Sequence, residues 1–363
     1  MGTIKERSRK DGTKAFMAEI VIKKNGQIAH REAKTFDRKP AARRWIEKRE
    51  GELKSPGGLE RVKRPQGTLG DAIARCTEDV SRIGRTKAQV LRTVLEYDIA
   101  EKRMDEIRPD DLVDLARELR AGDRAPSTVL NYLSHIGGVI SVARSAWGYD
   151  VDRTVVQDAL EATRRLQLTA KSSKRERRPT LAELDAIMTH FQTIRRRRPS
   201  SNPMDIIVAF AIFSTRRQAE ICRIQWEDYE PDAGRVMVRG MKDPGDNAGV
   251  DTWVEIIPEA ARIIELMPRR APEIFPYSTD AISAAFTRSC QFLDIGDLRF
   301  HDLRHEGVSR LFEMGRTIPQ VASVSGHRSW QSLQRYSHIR ATGDKFESWP
   351  WFERLEAPKV KRR

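Results

Sequence analysis

Two short stretches divide this chain before any periodicity is considered. Lys54–Gly67 contains Pro56, Gly57, Gly58 and Pro65, and Gln167–Pro179 contains the run Lys171-Ser172-Ser173-Lys174-Arg175-Glu176-Arg177-Arg178. Neither reads as core: Pro and Gly interrupt both regular periods, and clustered like charges favour solvent. A chain of 363 residues is long enough for several cores. The expected modules are 1–54, 68–166 and 180–343, joined by linkers at 55–67 and 167–179 and followed by a tail at 344–363.

Each module has its own period. Residues 14–24 alternate, with Phe16, Ala18, Ile20 and Ile22 on one face and Ala15, Met17, Glu19, Val21 and Lys23 on the other. Asn25-Gly26 predicts a type I′ hairpin, and Ile28–Phe36 reads as the returning strand. Asp37 is the expected N-cap of a helix over Pro40–Glu52, with Ala41, Ala42, Trp45 and Ile46 inside. From Thr68 to Leu166 the period is helical. Leu69, Ile73 and Val80, then Val90, Val94 and Tyr97, then Leu112, Leu115 and Leu119 mark successive helices. A longer one starts at Pro126-Ser127, with Val129, Tyr132, Leu133, Ile136, Val139 and Ile140 inside. Together these predict a four- or five-helix bundle. The third module opens on the capping box Thr180-Leu181-Ala182-Glu183. It is mainly helical: the apolar run Ile206–Phe213, then helices near 259–267, 279–293, 302–314 and 318–325. Two strands, 235–239 and 252–257, flank a turn at 243–249. The fold class is mainly α with small β elements.

Charge narrows the partners. The net charge is +14, and residues 1–64 hold 19 Lys and Arg against 9 Asp and Glu. Such a field favours a polyanion, either nucleic acid or an anionic membrane surface. No apolar run approaches the roughly 20 residues needed to span a bilayer. No hydrophobic segment follows Met1–Arg7, so no signal peptide is expected. Cys76, Cys222 and Cys290 are far apart and odd in number, which fits a reducing cytosol and no disulfide or zinc framework.

Between Arg175 and Asp344 there is a single lysine, Lys242, at the turn between those two strands. Arg holds its proton, whereas Lys can surrender one, so a lone Lys among arginines is a candidate acid. By itself the feature is equally a matter of composition. Other groups accompany it: Arg216-Arg217-Gln218-Ala219-Glu220 upstream, then His301-Asp302-Leu303-Arg304-His305, Gly326-His327, Tyr336 and His338 downstream.

This order, an Arg, a hairpin Lys, His-x-x-Arg, Gly-His and a Tyr nine residues later, resembles the tyrosine recombinase (phage integrase) family across residues 178–342. Phe300–Arg340 is most similar to shufflon-type invertases and mobile-element integrases. The resemblance implies a helical core-binding DNA domain at 68–166, an arm-type DNA-binding domain at 1–54 and a catalytic domain at 180–343. It implies Tyr336 as nucleophile, forming a 3′-phosphotyrosyl link. Arg217 and Arg304 would hold the non-bridging oxygens, with Arg216 the rival for the first role. Lys242 would protonate the leaving 5′-oxygen, His301 would be the general base toward Tyr336, and His327 would bond the phosphate. Glu220 is a structural buttress and His338 a packing residue. The Thr215-Arg216 pair stands where the family often has a Gly, which leaves that turn open. The implied partners are double-stranded recombination sites, a homo-tetramer on DNA and accessory DNA-bending proteins. No cofactor, metal or membrane is implied, and the setting is the bacterial cytoplasm at the nucleoid.

Three rival readings accompany this one. A type IB topoisomerase-like enzyme shares the cleavage chemistry but does not fit the basic front end. A DNA-binding regulator with a dead site does not fit the complete residue set. A zinc hydrolase built on His301 and His305 lacks an evident third ligand and has Arg304 between the two histidines. Phe346, Trp349, Trp351 and Phe352 stand in a tail with no evident core of its own, so they are expected to dock on a neighbouring protomer.

Overall fold

The computed structural model describes residues 2–8, 13–24, 27–55, 59, 67–81, 83–173, 175–243, 246–336 and 338–358, without the side chains of 242, 243 and 246–248. The chain divides into two compact units, Met1–Ser173 and Lys174–Arg363. Among the described residues no helix is long and apolar enough to cross a membrane.

In the first unit, β1 (Thr3–Ser8), β2 (Lys14–Lys24) and β3 (Gln27–Phe36) form an antiparallel sheet in that order. Pairing reaches Lys24 opposite Gln27. The Asn25-Gly26 turn itself lies outside the described residues. β1 was not expected, because its sequence TIKERS lacks apolar alternation; it joins as an edge strand, from Thr3 opposite Glu19 to Ser8 opposite Lys14. Ala18 and Ile20 of β2 are fully buried, as are Ala42 and nearly all of Leu53 on α1 (Lys39–Lys54). Two details of α1 differ from expectation. Arg38 rather than Asp37 is the N-cap, because Pro40 already presets the helical φ in the first turn. Ala41 is exposed, while Trp45 packs on Phe36 with ring centroids 5.7 Å apart.

The same unit contains α2 (Leu69–Asp79), α3 (Arg85–Val94), α4 (Pro109–Ala121), α5 (Pro126–Ala146) and α6 (Val155–Arg165). Thr68 and Asp71 exchange capping-box bonds at 2.8 and 3.1 Å, which starts α2. Prolines open α4 and α5, where a missing N–H costs nothing. The apolar faces read from the sequence close one core through Leu69, Ile73, Val94, Leu115, Leu133 and Ile136, which Leu91 joins.

The second unit carries α7 (Leu181–Arg197), α8 (Met204–Ser214), α9 (Gln218–Ile221), β4 (Tyr229–Glu230), β5 (Arg235–Asp243), β6 (Asp246–Glu255), α10 (Pro258–Glu265), α11 (Thr279–Phe292), α12 (Phe300–Glu313), α13 (Ile318–Ser325) and α14 (Trp351–Arg354). The three strands form an antiparallel sheet in sequence order. Every residue of α8 is buried, and α12 lies against it. Gly307 permits this contact: a Cβ there would collide with the Ile212 carbonyl oxygen.

Two expectations change in this unit. The basic run 175–178 is not free linker charge. Arg175 pairs with Asp297 and Asp302, Arg177 with Glu183, and Arg178 with Glu306 and Glu313. The tail aromatics pack inside their own chain instead of facing outward. Phe346, Trp349 and Trp351 are 5, 5 and 6% exposed. Phe346 and Trp349 meet Phe213 with ring centroids 5.6 and 6.1 Å away. Both tryptophan N–H groups donate to Asp185 Oδ1, at 3.1 and 2.7 Å. The bonded N–H is what lets a tryptophan be buried this deeply.

Candidate active site

One face of α12 organises the site. His301, Arg304 and His305 recur at the three- and four-residue spacing that brings side chains to one side of a helix. Arg304 is 4% exposed. Its guanidinium donates to the Thr215 carbonyl, to the Ser325 carbonyl at 3.1 Å and to His327 Nε2 at 3.2 Å. One side chain thereby ties the C-terminal ends of α8 and α13. Burial first, then Arg216 and Arg217, pushes its pKa down to about 9, so it is cationic at neutral pH.

Glu220 balances this charge. It is 2% exposed and lies 3.9 Å from Arg304, 3.8 Å from Arg216 and 2.6 Å from Arg217. Burial alone would raise its carboxyl, but the arginines outweigh that and hold it below the usual range. The two adjacent arginines have different surroundings. Arg216 has no exposed side-chain surface and donates to the Ser214 and Val324 carbonyls. Arg217 keeps 32% of its side chain exposed. Between them and α8, Thr215 takes a left-handed φ of 55°, which explains why a Gly is also accommodated at such a turn.

His327 follows Gly326, whose φ of 67° ends α13. A Cβ at Gly326 would press on the Met241 side chain of β5. Arg has no acceptor, so His327 Nε2 accepts from Arg304 and its Nδ1–H donates to Ser325 Oγ at 2.7 Å. Burial, then Arg304, lowers its pKa to about 3, and the ring is neutral.

Tyr336 lies on a 3-10 turn, Gln334–Tyr336, and is 6% exposed. Its ring stacks on Phe312 at 5.8 Å, and the Arg335 guanidinium sits 5.5 Å from its centroid. Burial raises the phenol's pKa. Its hydroxyl lies 2.5 Å from His305 Nδ1. His301, expected to pair with it, makes no hydrogen bond to Tyr336 among the described residues. The His301 ring stands edge-on to His305, with centroids 5.1 Å apart, and the residue is exposed. Partial burial of the ring, then Arg304 and Arg217, lowers the His301 pKa. His305 is pushed down to about 4 by burial, then Arg335. The helical spacing marked both histidines as neighbours, but no sequence signal separates which one reaches the phenol.

The remaining expected residues are placed as follows. Lys242 lies on β5, with its side chain outside the described residues. His338 is exposed instead of packed. Among the described residues no cluster of three or more metal-capable side chains forms around His301 and His305.

Residues 178–342 match the phage integrase family. A shufflon-specific DNA recombinase of Escherichia coli is 30% identical over 258 residues, covering 68% of this chain and 62% of that protein. The matching region therefore spans less than two thirds of that relative's length. The fold is similar to a lambda integrase dimer bound to a COC′ core site (TM-score 0.58, 16% identity), covering 99% of this chain and 97% of the other. It is also similar to the Tn1549 transposon integrase in complex with a circular intermediate DNA (TM-score 0.59, 10% identity), covering 74% of this chain and 94% of the other.

Proposed function

The chain belongs to the phage integrase family through its residues 178–342, and from that premise we propose that it is a site-specific tyrosine recombinase, which cuts and rejoins double-stranded DNA through Tyr336. The phenol oxygen attacks a backbone phosphorus, the P–O5′ bond breaks, and a 3′-phosphotyrosyl link forms. The link conserves the bond energy, so rejoining needs no ATP.

The observation that carries this reading is the Arg304 arrangement. One buried guanidinium holds the two loops that present Arg217 and His327, on the same helix that presents a histidine to Tyr336. Arg217 and Arg304 supply planar forks for the non-bridging oxygens, where charge grows as the phosphorus becomes five-coordinate. His327 joins them as its other neutral tautomer: the ring proton sits on Nε2 and donates to phosphate, while the Ser325 hydroxyl donates to Nδ1. Lys242 supplies the proton for the departing 5′-oxygen. Residues 1–54 and 68–166 supply further DNA contacts, the first through its excess of basic residues. The working assembly is a tetramer on two duplexes, assisted by DNA-bending proteins where the site requires them.

The experiment is covalent trapping on a nicked suicide duplex in EDTA, with the duplex recovered from random-sequence DNA by binding to the full chain. Wild type should form a protein–DNA adduct that Tyr336→Phe does not. An adduct that persists in Tyr336→Phe would move the nucleophile elsewhere. Tight binding with no adduct in wild type would favour a DNA-binding regulator. Relaxation of supercoiled plasmid without strand exchange would favour a topoisomerase.

A further inference from the structure

We propose that His305, one helical turn beyond His301, is the catalytic base that takes the Tyr336 proton. This rests on the recombinase reading above and deepens it. The carrying observation is contact. A general base must lie within hydrogen-bond reach of the proton it removes, and His305 Nδ1 is 2.5 Å from the Tyr336 hydroxyl. His301 instead presents its ring to His305.

The surroundings suit the task. With the imidazole proton on Nε2, Nδ1 is free to accept the phenolic O–H. The groups facing this pair are Arg335 over the tyrosine ring, Arg178, Arg304, His301 and Asp302. Arg335 and Arg304 disfavour a standing imidazolium, and all three arginines favour a phenolate. The proton therefore moves only as the P–O bond forms, when the incoming phosphate's negative charge is present. In that step the Nδ1 lone pair takes the proton, the phenolic oxygen bonds to phosphorus, and the P–O5′ bond breaks onto an oxygen that Lys242 protonates. Rejoining reverses every transfer, and His305 returns its proton to the leaving tyrosine oxygen.

The pair also borders a cavity of about 150 Å³ whose lining includes Arg178, Ser309, Arg335 and His338. A cavity of this size holds several water-sized molecules. Trimming His305 to alanine would enlarge it and leave room for free imidazole next to the phenol.

The test is single-turnover cleavage of the selected duplex, with normal and 5′-phosphorothiolate scissile linkages, by wild type, His301→Ala, His305→Ala and His305→Gln. The sulfur leaving group needs no acid, so it isolates the base. DNA binding by each variant reports folding. His305→Ala should lose about 10²–10⁴-fold on both linkages, and added imidazole should restore part of the loss. His305→Gln keeps the shape and a hydrogen bond but cannot take a proton, so it should lose as much, without rescue. His301→Ala should lose less and gain nothing from imidazole. Cleavage by His305→Gln within threefold of wild type would overturn the assignment, as would imidazole rescue of His301→Ala instead. No adduct in wild type would take down the recombinase reading itself. An adduct in wild type that is undiminished in His305→Gln would take down only the base.

Discussion

Arg175 reaches the Asp302 carboxylate with two parallel bonds, from Nε at 2.7 Å and Nη2 at 2.8 Å, and Asp302 has no exposed surface. Asp302 also accepts from the Arg299 N–H at 2.8 Å, which starts α12. The Arg175 carbonyl in turn accepts from Arg335, the residue before the nucleophile. A residue from the basic run therefore braces both the helix that carries Arg304 and the turn that carries Tyr336.

Removing that brace should be costly. Arg175→Ala leaves a buried carboxylate without its cation, a loss of about 3–5 kcal/mol for a pair broken on one side. Arg175→Lys keeps the charge but not the fork and should fall between the two. Guanidinium denaturation of the full chain, followed through its tryptophans, measures this. An unchanged midpoint in Arg175→Ala would show that the pair adds no stability.

Arg216 and Arg217 should separate cleanly. Arg217→Ala removes a guanidinium that is 32% exposed and should lower single-turnover cleavage by about 10²–10³-fold. Glu220 loses its nearest cation but keeps Arg216 and Arg304 at 3.8 and 3.9 Å, so the fold should weaken less than in Arg216→Ala. Arg216→Ala leaves the Ser214 and Val324 carbonyls without their donor and should destabilise by about 1–3 kcal/mol for each group left unpaired. If Arg217→Ala instead unfolds readily while Arg216→Ala stays stable but inactive, the two roles are exchanged.

Acid should destabilise the fold in a defined window. His305 and His327 have folded pKa values near 4 and 3, below the unfolded value of about 6.5. Depressed histidines are neutral in the native state, so the unfolded chain binds more protons below pH 6.5. The stability they contribute is complete above that pH and is lost progressively toward pH 4 and 3. Glu220, also depressed, adds to the loss at the acid end of that range. Each histidine should contribute a slope of about 1 kcal/mol per pH unit, and His327→Gln should reduce it. Denaturant midpoints that are flat between pH 6.5 and 4.5 would contradict this.

How much of this was legible in the sequence depends on whether a feature is local. The strand alternation of 14–24, the capping box at Thr180 and the proline that opens α5 are local, and each element forms where its signal lies. The grouping of Arg217, Arg304, His327 and Tyr336 came from their order along the chain, not from any one spacing. Partners far apart in sequence left no mark. Arg175 meets Asp302 across 127 residues, and neither residue's neighbours predict it. The His301–His305 spacing gives a shared helix face but not which ring touches the phenol. Periodicity also says that a face is apolar without naming what covers it, and the tail aromatics were misplaced for that reason.

That tail supports the last prediction. Trp349 and Trp351 share Asp185 as acceptor, and Asp344 pairs with Arg310, which is 1% exposed. Trp349→Ala should therefore destabilise the fold by about 3–5 kcal/mol, the range for truncating a buried aromatic. Deleting 344–363 should cost more, since it also removes a charge partner from a buried arginine. Because these contacts are made within one chain, the loss should not vary with protein concentration. A residue buried only between protomers would instead give a stability that rises with concentration. Denaturation of wild type and Trp349→Ala across a hundredfold concentration range separates the cases. A difference that grows with concentration would place the tail on a neighbouring protomer, and a constant one keeps it in its own core.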